Sequence, residues 1–316
     1  MIMDVSIIIV NYNTRLLIKQ CLKSIYLQTQ NILFEIIVVD NASIDGSQQM
    51  IEDEFPNVIL IKSKINWGFG KANNLGIEQA KGNYIFLLNS DTILFSNAVK
   101  ILADYISSNV NVGICGGNLY TEDYKPAMSF LQIMPGLLLD VDLFFGSVIS
   151  KILYKKNAIF NYSNRPMIIN GFILGADMMI RRQILNETNA FDPDFFMYYE
   201  EVELTWRIKR LGYKVASVPS AKIVHLEKGS ENVKQNTARR AFQSLYIYYI
   251  KTGKKRQIRF LHYLFILTAY QRMFIFKMLG KKDRMKNWVD LLAWEKQYNY
   301  FNTYGTDMET RNAAQN

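Results

Sequence analysis

The sequence predicts an α/β protein in which a mixed, mainly parallel sheet is flanked by helices. Short apolar runs rich in β-branched residues recur at residues 5–10, 35–40, 58–61 and 84–88, as is typical of strands buried on both faces of a sheet. Stretches with helical spacing of apolar residues separate these runs. Strands that alternate with helices favour parallel pairing with short loops beyond the strand ends.

Composition excludes several classes of protein. The chain has 316 residues, of which 49% are hydrophobic and 21% are charged, so neither a disordered chain nor a collagen-like fibre is credible. Two cysteines, Cys21 and Cys115, are too few for a disulfide framework or a four-cysteine zinc site. The first apolar run is too short for a secretory signal and follows Asp4, so we expect no export.

Each of the first four strands is followed by polar side chains. Ligands of open α/β sheets bind beyond the carboxyl ends of the strands, where these side chains would meet. Any one of them could simply cap a helix or form a turn, but the set predicts a binding site. Its members are Asn11, Asn13, Asp40, Asn41, Asn66, Asn89 and Asp91.

The middle of the chain is less regular. We interpret residues 126–166 as a partly helical insertion that covers an acceptor site. Strand-like order returns at residues 168–180, where glycines would allow close approach of a ligand or another backbone. An acidic segment then leads into a helix with a C-terminal cap at Gly212.

Two interpretations of Asp91 stay open from the residues alone. Its carboxylate follows the fourth strand and could hold a divalent cation that bridges a diphosphate. Alternatively, Asp91 and Thr92 cap a helix predicted over residues 97–106.

Three acids, Glu200, Glu201 and Glu203, lie in the first turn of the later helix. The helix dipole favours acids there, but three neighbouring carboxylates repel one another. Successive helical residues point about 100° apart, so Glu200 and Glu201 cannot share one task. Crowding should raise the pKa of at least one carboxyl, as suits a general base.

Other enzyme classes fail on their motifs. His225 follows a strand-like run, and no His-Glu-x-x-His sequence exists, so a zinc hydrolase is excluded. Residues 68–73 begin like a dinucleotide fingerprint, but Asn73 replaces the third glycine and the motif does not follow the first strand. No phosphate-binding loop with a Walker lysine is present.

The ordered motifs resemble those of family 2 glycosyltransferases, in particular the bacterial rhamnosyltransferase-like group. The similarity covers roughly residues 4–230 and lies in the segments 5–13, 36–47, 66–76, 87–92, 195–204 and 224–225. It implies a GT-A fold over residues 1–235. It also implies an inverting transfer of a sugar from a nucleotide-diphosphate sugar, such as dTDP-rhamnose or a UDP-sugar.

The resemblance also implies residue roles. The acceptor would be a hydroxyl of a lipid-linked, polyprenyl-diphosphate or polysaccharide glycan in bacterial cell-surface synthesis. Glu201 would be the base, with Glu200 as its rival, and Asp91 with His225 would hold Mg²⁺ or Mn²⁺. Gly175, Ala176 and Asp177 would form the acceptor wall. The donor would be surrounded by Asn11, Asn13, Asp40, Asn66, Lys71, Asn89, Ser90 and Arg207.

Two positions depart from the family pattern. Asn89 stands where the metal-binding triplet usually begins with an acid, which leaves Asp91 as its single carboxylate. Glu201 stands where Asp is commoner, which moves the carboxylate outward by one methylene.

The last part of the chain is basic, aromatic and helical in pattern. From Arg239 onward there are fifteen Lys/Arg and five Asp/Glu, whereas the preceding residues are almost neutral. We predict that residues 236–316 form a helical extension that associates with the anionic inner face of the cell membrane from the cytoplasm. The alternative is that these helices pack on the catalytic domain with a solvated basic face.

Two rival functions are less well supported. A nucleotidyltransferase would want a glycine-rich basic loop after the first strand, and residues 11–14 contain no glycine. A nucleic-acid-binding protein is disfavoured because the basic region is strongly apolar and the rest of the chain has no positive excess. We therefore expect no nucleic acid among the partners.

Overall fold

The computed structural model describes residues 3–227 and 234–297. The described strands are β1 (Val5–Asn11), β2 (Phe34–Asp40), β3 (Ile59–Lys62), β4 (Tyr84–Leu88), β5 (Thr92–Leu94), β6 (Val112–Tyr120), β7 (Phe130–Leu131), β8 (Met167–Ile169), β9 (Phe172–Ile173), β10 (Asp177–Arg181) and β11 (Lys214–His225). The described helices are α1 (Arg15–Gln28), α2 (Ser47–Glu54), α3 (Gly68–Gln79), α4 (Ala98–Ser108), α5 (Leu137–Phe144), α6 (Val148–Tyr154), α7 (Arg182–Thr188), α8 (Glu200–Arg210), α9 (Lys234–Lys251), α10 (Ile258–Met278) and α11 (Lys282–Gln297).

Nine of the described strands form a large mixed sheet in the order β3-β2-β1-β4-β10-β6-β11-β5, with β8 paired to β11, and β7 and β9 form a separate antiparallel pair. The first four strands of this order are parallel, as is the pair of β6 and β11. β10 runs antiparallel between β4 and β6 and joins the two parallel parts. The predicted α/β fold is confirmed, and the carboxyl ends of β1 to β4 lie side by side.

The core lies on both faces of this sheet because successive side chains of a strand point to opposite faces. On β1, Ile7 and Ile9 pack with buried residues of α1 and α4, whereas Ile8 packs in a second cluster with residues of α7 and α8. All three isoleucines are fully buried. Burial on both faces explains why the strand is an almost unbroken apolar run rather than an alternating one.

The helix predicted after the fourth strand is present, but the cap predicted for it is not. The helix predicted over residues 97–106 is α4, which begins after Asn97. The interpretation that Asp91 and Thr92 cap this helix is wrong, because β5 lies between them and α4. Asp91 therefore lies outside the start of α4.

The described residues divide into two compact units. One comprises residues of the ranges 1–134 and 149–232, and the other comprises residues of 135–148 and 233–316. The second unit contains α5 from the middle of the chain together with α9, α10 and α11. The predicted extension is helical over its described part, and its residues 298–316 lie outside the described residues.

The insertion contributes side chains that hold the second unit together. The Tyr249 hydroxyl donates to the Asp140 carboxylate, and the Lys254 ammonium donates to the Pro135 carbonyl. In the ranges that the structure covers, no helix is both long and apolar enough to cross a bilayer.

Candidate functional site

The ends of β1 and β2 are joined by their polar side chains. Asn11 and Asp40 are paired across the two strands, and Asn11 Nδ2 donates to Asp40 Oδ2 at 2.7 Å and to Ser43 Oγ at 3.1 Å. Asp40 Oδ1 accepts from the Ser43 amide and from Gln48 Nε2. The Asp40 carboxylate has no exposed surface. It therefore holds the turn after β2, and its contact with a donor base or ribose stays a prediction that requires this network to open.

The turn after β1 is attached to the same network. Asn13 has a left-handed backbone with φ of 53°, and its Oδ1 accepts from the Ile44 amide at 2.8 Å. The Asn13 amide donates to Ser43 Oγ at 2.9 Å. Asparagine tolerates this backbone better than most residues, because its short side chain bonds locally. The sequence did not single out Ser43, whose Oγ accepts from both Asn11 and Asn13.

Ser90, which follows β4, lies beside the turn after β1. Thr14 Oγ1 lies 3.0 Å from Ser90 Oγ and donates to Asn11 Oδ1 at 2.6 Å. Thr14 therefore connects the ends of β1 and β4 and is a second residue that the sequence did not identify. No pattern in the sequence marks it, because the bond spans residues far apart along the chain.

A third connection joins β2 to the start of α3. Asn41 Nδ2 donates to Asn66 Oδ1 at 2.8 Å, and the Trp67 amide donates to Asn41 Oδ1 at 2.8 Å. Lys71 lies one turn into α3, with its Nζ 6.0 Å from the centre of the Trp67 ring. The bond to Asn41 thus holds Asn66 at the edge that the strand ends form, where the strand pattern predicted it. The contact of Lys71 with a donor, which the family resemblance implies, stays a prediction.

Gly68 brings this edge into contact with the acidic segment. Its φ is +80°, and a Cβ at this position would lie 2.0 Å from the Phe196 carbonyl oxygen. The next amide, of Phe69, donates to that same oxygen at 2.8 Å. Only glycine fits this close approach. The contact with the start of α3 therefore fixes the position of the segment that leads into Glu200 and Glu201.

Asp91 and His225 lie together at the end of β4. Asp91 Oδ1 is 3.2 Å from His225 Nε2, and Asn89 Nδ2 is 3.5 Å from the same nitrogen. The pairing of β11 with β5 sets this geometry, because it places His225 opposite Thr92. Asp91 is buried, and the His225 side chain is 17% exposed. Asp91 and His225 are more than a hundred positions apart in the sequence, yet they bring a carboxylate oxygen and an imidazole nitrogen close together.

The chemistry of these two donors fits a divalent cation. Carboxylate oxygen suits Mg²⁺ and Mn²⁺, and neutral imidazole nitrogen is a common ligand of transition metals. Over residues 3–227 and 234–297 there is no group of three or more His, Cys, Asp or Glu placed to hold a metal. Asp91 and His225 would therefore supply two ligands, and diphosphate oxygens and water would be needed for the others.

Glu200 and Glu201 point to different neighbours. A Cβ on Gly70 of α3 would lie 3.5 Å from Glu200 Cβ, whereas a Cβ on Gly175 would lie 3.6 Å from Glu201 Cγ. Glu200 is buried, and Glu201 is partly exposed. The rotation of about 100° between them, predicted from helix geometry, is what separates the two environments.

Both carboxyls hold their protons more tightly than a free glutamic acid. Burial raises the pKa of Glu201 to about 7, although hydrogen bonds from the backbone amides of Glu201 and Val202 partly offset this rise. Burial, followed by the charge of Glu201, raises the pKa of Glu200 well above its usual range. In both glutamate side chains the Oε2 atom is buried and has no hydrogen-bond partner among the described residues. A carboxylate poised near neutral pH is suited to accept a proton.

Backbone strain lies directly before this pair. Tyr198 and Tyr199 have φ of 71° and 66°, in the left-handed region that bulky residues rarely adopt. Strained backbone persists where the surrounding structure forces it and is common at functional sites. Nothing in the sequence marks the strain, since tyrosine carries no preference for this conformation.

The loop between β9 and β10 joins the two halves of the site. Gly175 lies against Glu201, and the Ala176 carbonyl accepts from the Asn89 amide at 3.1 Å. Asp177 departs from the prediction. Its carboxyl has no exposed surface, and Oδ2 accepts from the Gly117 amide at 2.6 Å. Burial raises its pKa well above the usual range. Asp177 is enclosed in the core, so a place in an acceptor wall stays a prediction that requires the structure around it to open.

Arg207 is engaged by the protein itself. Its guanidinium forms an ion pair with Glu203 at 2.7 Å and donates to the carbonyls of Thr188 and Ala190. These bonds hold the end of α7 against α8. They also account for Glu203, the third acid of the segment. The predicted contact of Arg207 with a diphosphate stays a prediction.

The chain is similar in sequence to known proteins. The family model described as glycosyl transferase family 2 matches residues 6–188, more than half of the chain. An N-acetylglucosaminyl-diphospho-decaprenol L-rhamnosyltransferase of Mycobacterium tuberculosis is 26% identical over 235 residues, which are 69% of this chain and 75% of the relative.

Two solved structures share the fold at low identity. The mannosyltransferase PcManGT from Pyrobaculum calidifontis, in complex with GDP-Man and Mn²⁺, matches with a TM-score of 0.55 and 17% identity over 98% of this chain and 79% of that one. GalNAc-T7 with UDP, GalNAc and Mn²⁺ matches with a TM-score of 0.55 and 18% identity over 78% of this chain and 50% of that one.

Proposed function

Because the chain belongs to glycosyl transferase family 2 and has the GT-A fold, we propose that it transfers a sugar, with inversion, from a nucleotide-diphosphate sugar to an acceptor hydroxyl. The observation that carries the proposal is the series of contacts that links the base candidate to the cation candidate. Glu201 lies against Gly175, the Ala176 carbonyl holds the Asn89 amide, and Asn89 and Asp91 both lie beside His225.

Glu201 is proposed as the general base. An acceptor hydroxyl is a weak nucleophile until a positioned group takes its proton. Glu201 is partly exposed, its Oε2 has no partner, and its pKa of about 7 allows it to be ionised at neutral pH and still accept a proton. Glu200 is more deeply buried and is proposed to stay protonated, so that it positions its neighbour without carrying a second charge.

Asp91 and His225 are proposed to hold Mg²⁺ or Mn²⁺ when donor is bound. The cation would neutralise charge that develops on the leaving diphosphate. Asp91 supplies the negative charge of the pair, and β11 fixes the imidazole beside it. Asn89 lies near the same imidazole and provides an amide in place of a second acid.

A relative supports the proposed donor and acceptor classes. The rhamnosyltransferase relative is named for a diphospho-decaprenol acceptor. We propose a dTDP-rhamnose or UDP-sugar donor and a lipid-linked or polysaccharide acceptor in bacterial cell-surface glycan synthesis. A lipid-linked acceptor would place the protein on the inner face of the cell membrane.

Cation-dependent donor binding tests the proposal. We expect UDP or dTDP, and their sugar conjugates, to raise Tm when Mn²⁺ is present and to do so much less without it. In Asp91→Asn the cation-dependent part of the shift should fall strongly, because a neutral amide is a poor ligand for a divalent ion.

The exposed Asp104→Asn is the matched control and should respond like the wild type. Transfer is then measured by release of nucleoside diphosphate from the conjugate that gives the largest shift. A protein that responds to none of these nucleotides with either cation would contradict the proposed function.

A further inference from the structure

Helix α10 carries apolar side chains on two opposite faces. Ile258, Leu261, Phe265 and Ala269 are buried against its own unit. A second set recurs every three or four residues and is exposed to solvent. It consists of Phe260 (44% exposed), Tyr263 (63%), Leu267 (54%), Tyr270 (49%), Phe274 (66%) and Met278 (73%).

These six exposed residues, here termed the α10 stripe, form one continuous row. At about 100° per residue they fall within an arc of about 80°, on the side of the helix opposite the buried set. Single exposed apolar residues are ordinary, but a contiguous apolar surface on a soluble unit marks an interaction site. The length of the row, nearly the whole of a 21-residue helix, indicates a flat and extended partner.

Positive charge surrounds the stripe. α10 contains no Asp or Glu, and the exposed residues Lys277, Lys281 and Lys282 lie at its C-terminal end. Lys296 of α11 lies beside the middle of the stripe, with its Nζ 3.1 Å from Tyr270 Oη. Over residues 239–297 the sequence has fourteen Lys/Arg and three Asp/Glu.

We propose that the α10 stripe lies in the plane of an anionic lipid bilayer. Its aromatic and aliphatic side chains would enter the boundary between headgroups and acyl chains, while the lysines reach lipid phosphates. A second copy of the chain fits less well, because two equally basic surfaces would repel each other. The inference deepens the proposed function and rests on it, since a membrane-bound α10 would bring the site to a lipid-linked acceptor.

Sedimentation of the full chain with vesicles tests this surface. Wild type should bind vesicles of phosphatidylcholine with phosphatidylglycerol, and bind phosphatidylcholine alone much more weakly. Leu267→Gln combined with Phe274→Gln should lower the partition coefficient by about tenfold or more, because two buried apolar groups are lost from the bilayer. Lys277→Gln, Lys281→Gln and Lys282→Gln together should remove most of the dependence on the anionic lipid and on salt.

Leu27→Gln combined with Val110→Gln is the matched control. Both residues are apolar and 71% exposed, and both belong to the other unit, so this variant should bind vesicles like the wild type. Unchanged Tm in each variant shows that the fold is kept. Equal vesicle binding by wild type and the Leu267/Phe274 variant would overturn the proposal. A wild-type dimer that the stripe variant dissociates, without any vesicle binding, would assign the stripe to a second copy instead.

Nucleotide binding separates this proposal from the proposed function. If the variants and wild type keep their Mn²⁺-dependent Tm shift with UDP or dTDP but wild type ignores vesicles, only the membrane surface is wrong. If vesicle binding follows the expected order and no nucleotide shifts Tm, the proposed function is wrong while the membrane surface stands.

Discussion

At the scale of single residues, the pair Glu200 and Glu201 shows how a rotation of about 100° between successive helical residues separates two identical side chains. Glu200 faces Gly70 and is buried, whereas Glu201 faces Gly175 and keeps some exposure. Burial raises the pKa of both, and the charge of Glu201 raises that of Glu200 further. The two carboxyls therefore lie in different environments, and we assign the role of base to Glu201 alone.

Replacement of each acid by its amide distinguishes their roles. Glu201→Gln should keep cation-dependent donor binding and lower kcat by about 10²–10⁴-fold, because the base is lost. Glu200→Gln should lower kcat far less, because glutamine resembles the neutral protonated acid. Glu187→Gln, at an exposed position of α7, is the control and should be silent. Equal losses in the Glu200 and Glu201 variants would contradict the assignment of the base.

The pH dependence of turnover follows from the pKa of Glu201. A base must be ionised, so kcat should fall as pH drops below about 7 and level off above it.

The same raised pKa makes the folded protein less stable at high pH. The folded protein holds the proton more tightly than the unfolded chain, so its stability decreases as pH rises from 4.5 through about 7.

Glu201→Gln should therefore raise Tm at pH 8, because the variant no longer ionises a buried carboxyl. Thermal unfolding of this variant and of wild type at pH 5 and pH 8 measures the effect. The difference in Tm should be small at pH 5 and clear at pH 8. A variant that is less stable than wild type at pH 8 would show that Glu201 is not the source of this pH dependence.

At the scale of elements, the contact between the start of α3 and the acidic segment decides where the base stands. Gly68 allows it, because any side chain there would overlap the Phe196 carbonyl. The bond from the Phe69 amide to the same carbonyl then fixes the distance between the two elements. The start of α3 and the segment that carries the proposed base are thus held together by direct contacts.

Gly68→Ala should destabilise the protein by about 1–3 kcal/mol and also lower kcat, since it displaces the segment that leads into Glu201. Gly212→Ala is a matched control. Gly212 also has a left-handed backbone, with φ of +92°, but an added Cβ would meet nothing within 4 Å. Both variants should lower Tm, and only Gly68→Ala should lower kcat at temperatures where each remains folded. Full turnover by Gly68→Ala would contradict this role.

At the scale of the whole molecule, the chain forms two units that do not follow the order of the sequence. Residues 135–148 belong with the C-terminal helices. Within that unit, Tyr249 donates to Asp140, whose pKa burial raises to about 6, and Lys254 donates to the Pro135 carbonyl. A deletion of the C-terminal region therefore removes only part of a unit.

Removal of residues 234–316 should leave α5 without its packing partners. We expect this truncated chain to bind a hydrophobic dye and to aggregate, because Leu139 and its neighbours lose their cover. Replacement of residues 135–148 by a short Gly/Ser linker in the same truncated chain should restore a monodisperse protein. Dye fluorescence and light scattering compare the two. A truncated chain that is monodisperse without the linker would contradict this division into units.

The first four strands and the position of the candidate site could be predicted from the sequence. β-branched apolar runs produced β1 to β4, and the polar residues that follow them meet at one edge, since parallel strands align their carboxyl ends. Helix geometry also predicted that Glu200 and Glu201 would point apart. These features are local, so a short stretch of residues contains the information for each.

Which groups meet and which are buried became known from the folded chain and could not be predicted from the sequence. It placed His225 beside Asp91 through the pairing of β11 with β5, enclosed Asp177 in the core, and joined residues 135–148 to the C-terminal unit. It also bound Arg207 to Glu203. Each outcome depends on contacts between residues far apart in the chain. The energies of these contacts come from packing and burial. Neither can be read from a residue and its neighbours in the sequence.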